Sequence, residues 1–144
     1  MIDKRVADVA EALQGVSDGA TVLVGGFGEA GTPWTLLDGL RELGLTDLTL
    51  VANNAGSGDN GVAALIRERR VRKIICSYPR SAGWHHFQNA WKEHSIELEV
   101  VPQGTLSERI RAAAAGLGGF FTPVDVERAL LDGREVRELD GRLQ

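Results

Sequence analysis

Apolar and polar positions alternate along the chain in two periods, one typical of strands and one typical of helices. Five short apolar runs have the character of strands. They are residues 20–26, 47–54, 71–78, 96–104 and 118–121. The segments around them carry apolar residues at helical spacing or have the length of a helix. These are residues 3–14, 33–43, 61–69, 84–93 and 105–116.

This repeated strand–helix order predicts the fold class. It indicates an α/β fold with right-handed crossovers and a mostly parallel, Rossmann-like sheet that has helices on both faces. In such sheets ligands bind at the carboxyl ends of the strands, near the point where the strand order switches. We expect one α/β domain over residues 1–123. Residues 124–144 form a short, charged C-terminal segment of it, with a short helix at 124–131 and no further clear strand in the pattern.

Three helix starts carry recognisable signals. Asp3 is available as the N-cap of the first helix, since a short polar side chain can accept a bond from a free helical N–H. Pro33 suits the first turn of the second helix, where its missing N–H is not needed. Thr105, followed three positions later by Glu108, has the pattern of a capping box.

Composition and charge exclude several classes of function. The 144 residues have a net charge of −4, which argues against a nucleic-acid surface. The single cysteine, Cys76, excludes an internal disulfide and fits a reducing compartment. The sequence has neither an N-terminal segment of signal-peptide type nor an apolar run near the roughly 20 residues of a membrane span. We therefore expect a cytoplasmic protein that binds neither nucleic acid nor membrane.

Three loops follow predicted strands and carry unusual chemistry. They read GGFGEAG at 25–31, NNAGSGDN at 53–60 and PQGTLSE at 102–108. Because the carboxyl ends of parallel strands lie at one edge of a sheet, we expect these loops to meet at a single cleft. Their meeting is the main functional signal in the sequence.

The glycine-rich loop also matches G-x-G-x-x-G through Gly26, Gly28 and Gly31. A dinucleotide site needs in addition an acidic residue about 20 positions on, at the end of the second strand. That strand ends in Asn53 and Asn54 instead, so a dinucleotide-binding oxidoreductase is disfavoured. A tight turn that needs positive φ and a backbone site for an anion both remain open. The number of glycines favours close approach of the backbone to a ligand or a partner chain.

Side chains with possible chemistry give weaker signals. Asn53, Asn54 and Gln103 offer neutral amides, either to a ligand or simply to a turn or a helix cap. The three histidines, of which His85 and His86 are adjacent, have no metal-ligand spacing with Cys76. We predict surface imidazoles and no metal site. Glu29, within the glycine-rich loop, is expected to be exposed, and the basic run around residues 67–73 to be solvated.

Taken together, these segments resemble the α (A) subunit of class I CoA-transferases. The similarity extends in order and spacing from residue 1 to about residue 123. It is nearest to 3-oxoadipate CoA-transferase, followed by succinyl-CoA:3-oxoacid CoA-transferase. The segments that carry it are DGATVLVGGFGEAGTPWTLLDGL, LTLVANNAGSGDNGVAALI, VRKIICSYPR, IELEVVPQGTLSERIRAAAAG and FFTP.

The resemblance implies an enzyme subunit that moves coenzyme A from an acyl-CoA, typically succinyl-CoA, to a 3-oxo acid. It implies that the nucleophile is a glutamate of a β subunit, so that no catalytic residue is expected in this chain and the chain is inactive alone. CoA is then a substrate, no tightly bound cofactor is expected, and the assembly is a hetero-oligomer. Residues implied to bind substrate or CoA are Gly25, Gly26, Phe27, Gly28, Asn53, Asn54 and Gln103.

The chain departs from the family pattern in two places. After FFTP the family continues with Thr-Gly, where this chain has Val124 and Asp125. The corresponding chain of the family runs well past residue 144, and GREVRELDGR resembles its next hairpin. A shortened subunit predicts dependence on a partner, and it keeps open the alternative of a non-catalytic acyl-CoA-binding or scaffold subunit.

Overall fold

The computed structural model describes residues 3–124 and 133–144. The chain divides into two compact units, Met1–Val100 and Val101–Gln144. The C-terminal segment expected to begin at residue 124 lies inside the second unit, and its place in one domain with residues 1–123 stays a prediction. The helix predicted at 124–131 lies outside the described residues, apart from its first position.

The described part of the first unit holds the sheet and most of the helices. Its strands are β1 (Thr21–Leu23), β2 (Leu48–Asn54), β3 (Val71–Tyr78) and β4 (Glu97–Val100). Its helices are α1 (Val9–Ala12), α2 (Trp34–Glu42), α3 (Gly61–Arg67) and α4 (His85–Lys92). The described part of the second unit contains α5 (Gln103–Ala114) and the strands β5 (Glu138–Leu139) and β6 (Arg142–Leu143). Within the described part of the chain, no helix combines the length and apolar character that crossing a bilayer requires.

The four strands of the first unit form a parallel sheet in the order β1-β2-β3-β4. The predicted α/β fold with a mostly parallel sheet is therefore confirmed. Because each strand is added on the same side of the one before it, crossovers of one hand place α2, α3 and α4 on one face. Helical cover of the second face stays a prediction. These four strands contain no reversal of order, so the expected switch point is not found among them.

The core lies between this sheet and its helices. Leu50 of β2 and Ile74 of β3 are fully buried and lie side by side in the register of the sheet. Leu37 of α2, Leu65 of α3 and Phe87 of α4 pack in the same cluster. Burying each such side chain stabilises the fold by roughly 1.5–3 kcal/mol. Because these buried positions must be apolar, apolar residues recur in the sequence at strand or helix spacing. This spacing is what made the elements predictable.

Two of the predicted helix starts are wrong. The first helix begins at Val9, and its N-cap is Asp8, whose side chain accepts a hydrogen bond from the Glu11 N–H at 2.8 Å. Asp3 lies before the helix and pairs with the neighbouring Arg5 instead. A carboxylate next to an arginine has a competing partner, so its position before an apolar pattern does not by itself make it a cap.

The capping box at Thr105 and Glu108 is also wrong. Helix α5 begins earlier, at Gln103, and no side chain caps it. The Thr105 hydroxyl is buried inside the first turn without a hydrogen-bond partner, and Glu108 pairs with Arg111 one turn on. Pro33 immediately precedes α2, close to the predicted start.

The C-terminal segment differs from the strand pattern read in the sequence. Residues 118–121 form no strand, because two glycines there bring neither a side chain to pack nor β propensity. The hairpin expected from the family resemblance is confirmed in β5 and β6. Its turn places Asp140 at φ 52° and Gly141 at φ 73°, the left-handed pair that a two-residue hairpin loop favours.

An ion-pair network fastens α2 to the end of α3. Arg41 Nη2 lies 2.6 Å from Glu68 Oε1, and Arg70 Nε lies 3.0 Å from Glu68 Oε2. Hydrogen bonds from Arg41 first, and then from Arg70, lower the pKa of Glu68 from 4.5 to about 2. Since the folded state holds this proton less tightly than the unfolded chain does, the stabilisation is complete above the unfolded pKa. It is lost as the pH falls through the folded one.

Replacing this carboxylate, Glu68→Gln, is expected to lower the free energy of unfolding at pH 7 by about 1 kcal/mol, a modest value because solvent reaches the pair. The difference from the original chain should shrink between about pH 5 and pH 2 as Glu68 itself becomes protonated. Urea unfolding across this range measures it, with Glu97→Gln at an exposed position of β4 as the matched control. A difference that stays constant down to pH 2 contradicts the assignment.

Candidate functional site

A cleft opens at the carboxyl ends of β1 and β2. The last sheet hydrogen bond there joins the Val24 N–H to the Val51 carbonyl at 2.8 Å. Beyond it the chain forms the glycine loop, residues 25–32, and after β2 the β2–α3 loop, residues 55–60. The cleft between them encloses about 370 Å³ of empty space when the part open to solvent is included. Its lining includes Gly25, Gly26, Gly28, Glu29, Asn53 and Asn54.

The glycine loop has a backbone that other residues would not adopt easily. Gly26 has φ 125° and Gly28 has φ 62°. A Cβ atom on Gly26 would lie 3.0 Å from the Thr32 Oγ1 and 3.3 Å from the Ala30 carbonyl oxygen. After Gly26 the chain makes a tight turn over residues 27–30, in which the Phe27 N–H donates to the Ala30 carbonyl at 2.9 Å. The loop is thus a sharp turn, as one of the two open interpretations required.

The same turn leaves backbone donors unused. Among residues 3–124 and 133–144, no protein acceptor is paired with the N–H groups of Gly25, Gly26 or Gly28. Consecutive free N–H groups beside the start of a helix form a site with partial positive charge. Helix α2 begins at Trp34, which also lines the cleft. The geometry therefore favours an anion or a polarised carbonyl oxygen as the bound group.

Phe27 lies at the tip of the glycine loop, and its predicted role in binding substrate or CoA stays a prediction. Its N–H is already bonded to Ala30, and its residue surface is 70% exposed. It does not line the cleft. Among the residues that line the cleft, Gly25, Gly26 and Gly28 keep unpaired backbone N–H groups.

The two asparagines at the end of β2 position the loops. The Asn54 Oδ1 accepts a hydrogen bond from the Gly56 N–H at 2.8 Å, and its Nδ2 donates to the Gly28 carbonyl at 3.4 Å. One side chain therefore makes an Asx turn and ties the β2–α3 loop to the glycine loop. Asn53 lines the cleft, and its Oδ1 accepts a bond from the Ser77 hydroxyl of β3 at 2.9 Å.

Gln103 lies in the second unit, as the first and exposed residue of α5. The segment at 102–108 that was expected as a loop is therefore mostly the start of a helix. The structure brings together five of the seven predicted binding residues within the first unit. They are Gly25, Gly26, Gly28, Asn53 and Asn54.

Sequence reasoning missed the residues that hold the β2–α3 loop from the side of α4. The Ser81 hydroxyl donates to the Gly56 carbonyl at 2.6 Å and accepts from the Ser57 hydroxyl at 3.0 Å. The Gly58 N–H donates to the Gly83 carbonyl at 3.1 Å. Serine and glycine are common in any loop, so only their contact in the fold distinguishes these.

Ionisable groups are sparse around the cleft. Of the described lining residues only Glu29 has an ionisable side chain, and it is exposed. Burial raises the pKa of the Cys76 thiol to about 11, so this cysteine stays protonated and unreactive at neutral pH. The cleft is thus supplied with hydrogen-bond donors and neutral amides, and it lacks a paired nucleophile and base. Such a site suits the binding and polarisation of a group that another residue attacks.

The sequence matches the model of one protein family. The family model described as "Coenzyme A transferase" matches residues 6–143, nearly the whole sequence. The chain belongs to the coenzyme A transferase family. The predicted family resemblance is therefore confirmed, and it makes the cleft a part of a coenzyme A transferase fold.

Two curated relatives of this coenzyme A transferase chain are named as enzyme subunits. It is 49% identical over 143 residues to the α (A) subunit of the 3-oxoadipate CoA-transferase of Pseudomonas putida. It is 42% identical over 140 residues to the α (A) subunit of the succinyl-CoA:3-ketoacid coenzyme A transferase of Xanthomonas campestris. These matches cover 99% and 96% of this chain. The chain spans 62% and 57% of the length of those two relatives.

Solved structures share the fold at low identity. An acyl-CoA transferase of Escherichia coli, solved as a thioester complex with CoA, matches with a TM-score of 0.76 at 19% identity over 95% of this chain and 31% of that one. Glutaconate coenzyme A-transferase from Acidaminococcus fermentans gives 0.75 at 22% identity over 88% of this chain and 40% of that one. The decarboxylase AibA/AibB gives 0.79 at 19% identity over 96% and 56%. The fold of this family therefore also occurs in a decarboxylase.

Proposed function

We propose that this chain is the α subunit of a CoA-transferase that moves coenzyme A from succinyl-CoA to a 3-oxo acid such as 3-oxoadipate. The nucleophilic glutamate comes from a β subunit. The observation that carries the proposal is the 49% identity to the α (A) subunit of a 3-oxoadipate CoA-transferase along almost the whole chain. The cleft supports it, because it offers donors to a carbonyl oxygen without a nucleophile of its own.

In the proposed reaction the β chain supplies the nucleophile, and this chain binds the groups that react. A glutamate carboxylate on the β chain attacks the thioester carbonyl, so that a C–O bond forms, the C–S bond breaks and CoA leaves as a thiolate. The thiolate then attacks the glutamyl carbonyl of the mixed anhydride and releases the free acid, leaving a glutamyl-CoA thioester. The acceptor acid repeats these two steps in reverse order. Splitting the exchange in this way is covalent catalysis by a carboxylate.

In this scheme the glycine loop stabilises charge. Each attack places negative charge on a carbonyl oxygen, and the free N–H groups of Gly25, Gly26 and Gly28 suit such an oxygen. Asn53 extends this site as a neutral amide, and the family resemblance assigns Gln103, in the second unit, to the binding of CoA. A neutral amide donates to an oxyanion without competing for the anhydride. Asn54 keeps the two loops at the right separation.

The rest of the assignment follows from this function. Coenzyme A is a substrate and no cofactor stays tightly bound. The β subunit pairs with this chain in a heterodimer or heterotetramer, and the enzyme works in the cytoplasm. A dinucleotide-binding oxidoreductase is not supported, since family membership supplies another use for the glycine loop.

A non-catalytic subunit that binds acyl-CoA or serves as a scaffold is the second candidate. It is favoured by one observation, namely that the described lining of the cleft offers no paired nucleophile and base. The two candidates agree on binding and differ in turnover. They are therefore separated by whether the assembled complex transfers CoA.

Covalent trapping tests both candidates. The chain is co-expressed with its β subunit, incubated with succinyl-CoA and treated with borohydride, which reduces a glutamyl thioester. Mass spectrometry is expected to find the reduced glutamate on the β chain and never on this chain. Glu29→Gln is the control within the cleft and should trap as well as the original. A reduced glutamate on this chain overturns the division of roles, and CoA binding without trapping favours the scaffold.

A further inference from the structure

Three potential metal ligands meet on the outer side of the β2–α3 loop. Asp59 belongs to that loop, and His85 and His86 form the first turn of α4. The His86 Nε2 lies 2.7 Å from the Asp59 Oδ1, and the His85 Nε2 lies 3.5 Å from the same oxygen. The two Nε2 atoms are 3.0 Å apart. Three potential lone-pair donors from two separate segments thus surround one point.

Protons account for these three contacts only in part. An ionised carboxylate only accepts, so the 2.7 Å contact requires a proton on the His86 Nε2. That nitrogen then has no lone pair left for the His85 Nε2 at 3.0 Å, and its single N–H cannot point at two acceptors in different directions. With both nitrogens protonated, both N–H groups can turn to the Asp59 Oδ1, but the two nitrogens then lie 3.0 Å apart with no hydrogen bond between them. A cation between the three atoms satisfies every one of them.

The distances suit such a cation. Zinc lies about 2.0–2.2 Å from imidazole nitrogen and carboxylate oxygen. With ligand–metal–ligand angles between those of an octahedron and a tetrahedron, the ligand atoms are then about 3.0–3.4 Å apart. The observed separations of 2.7, 3.0 and 3.5 Å lie around this range. Shifts of a few tenths of an ångström complete the geometry.

We propose that Asp59, His85 and His86 bind a divalent transition-metal ion, for which zinc is the probe, with water in the remaining coordination positions. Two imidazoles and one carboxylate are a donor set that zinc accepts. The site is open enough for an ion to enter, since the side chains of Asp59 and His85 are 67% and 51% exposed. That of His86 is 16% exposed and therefore held in place.

The ion would hold the β2–α3 loop, which forms one side of the cleft, against the start of α4. Asp59 adjoins Asn60, which lines the cleft, and the histidines adjoin the segment that already contacts the loop through Gly58 and Gly83. Joining Asp59 to the start of α4 therefore restricts the β2–α3 loop. This role is independent of which substrate the cleft takes.

One neighbouring charge opposes the ion. Arg67 Nη1 lies 3.9 Å from the Asp59 Oδ1 and donates a hydrogen bond to the Asp59 carbonyl at 3.3 Å. Its positive charge lowers the affinity for a cation and predicts binding weaker than in a structural zinc site. Arg67→Gln should bind zinc more tightly than the original chain, which a fortuitous site elsewhere would not show.

Zinc titration of the 144-residue chain against a chromophoric chelator tests the site. We expect one zinc per chain. Asp59→Asn, His85→Asn or His86→Asn should each lower the affinity for zinc about tenfold or more, since even changes to residues that only orient a ligand cost about 10–100-fold.

The control variant is His94→Asn. It removes the remaining histidine at φ 53°, which asparagine tolerates, and should leave the affinity for zinc unchanged. Circular dichroism of the metal-free variants checks folding, and the exposed His85 keeps the test valid if His86→Asn unfolds. Absence of saturable binding, or an equal loss in His94→Asn, overturns the proposal.

Discussion

Gly56→Ala is expected to lower the free energy of unfolding by about 3–4 kcal/mol, a large part of the roughly 5–15 kcal/mol that stabilises a typical domain. An added Cβ would lie 2.6 Å from the Ala63 nitrogen and 3.0 Å from its Cα. Both are backbone atoms of α3, so no side-chain rotation relieves the overlap, and overpacking of this kind costs about 1–3 kcal/mol. The φ of 82° at Gly56 adds strain of about 1–2 kcal/mol for any residue with a Cβ.

The matched control stands two residues later. Gly58 has a similar φ of 61°, and no heavy atom lies within 4 Å of the Cβ it would gain. Gly58→Ala therefore carries the backbone strain without the overlap and should cost only about 1 kcal/mol. Urea unfolding of both variants at pH 7 measures the difference. Equal losses would mean that the close approach of the β2–α3 loop to α3 is not what requires glycine.

This comparison bears on the site because Gly56 is where the cleft is joined to the fold. Its N–H is held by Asn54 and its carbonyl by Ser81. A shift of this residue away from Ala63 would pull on both hydrogen bonds. We therefore expect stability and cleft geometry to fail together in Gly56→Ala, whereas Gly58→Ala keeps the cleft.

The sequence alone located the sheet and the three helices α2, α3 and α4, because their burial repeats at strand or helix spacing. Leu50 and Ile74, or Leu37 and Leu40, are apolar for the same reason that they are buried. Prediction from the sequence failed where two nearby residues could play the same role and only their contacts in the fold decide between them. Asp8, and not Asp3, caps α1, because Asp3 has Arg5 as a nearer partner.

The candidate site was predictable in part for the same physical reason. Gly26 and Gly28 indicate an unusual backbone by their identity, and the structure gives both positive φ. The role of Asn54 depends on which loop its amide reaches, and that distance is set only when the fold forms. Asp59 lies in a different loop from His85 and His86, so a search for ligand spacing along the chain could not bring these three together.

The second large effect concerns catalysis and depends on the proposed function. In the complex with its β subunit, Gly26→Ala is expected to lower kcat for CoA transfer about 10²–10³-fold, the usual loss when a donor to an oxyanion is removed. The added Cβ would lie 3.0 Å from Thr32 Oγ1 and 3.3 Å from the Ala30 oxygen, at a φ of 125°. The loop must shift by a few tenths of an ångström to relieve this, which displaces its free N–H groups from the carbonyl they are proposed to bind. The rate of 3-oxoadipyl-CoA formation from succinyl-CoA measures the loss.

Gly25→Ala is the control for Gly26→Ala. It shows whether activity is lost because the N–H donors are displaced or because the added methyl group makes the cleft smaller. Gly25 also lines the cleft, but its φ is not in the left-handed region and no heavy atom lies within 4 Å of an added Cβ. Its variant should keep kcat within about tenfold, because the N–H directions are preserved. Thermal unfolding of both complexes shows whether the fold is intact. If Gly25→Ala and Gly26→Ala lose the same activity, the loss comes from the space that the added methyl group takes in the cleft, and not from a change in the N–H directions. If neither loses any, the charge that develops during transfer is stabilised by groups other than these backbone amides.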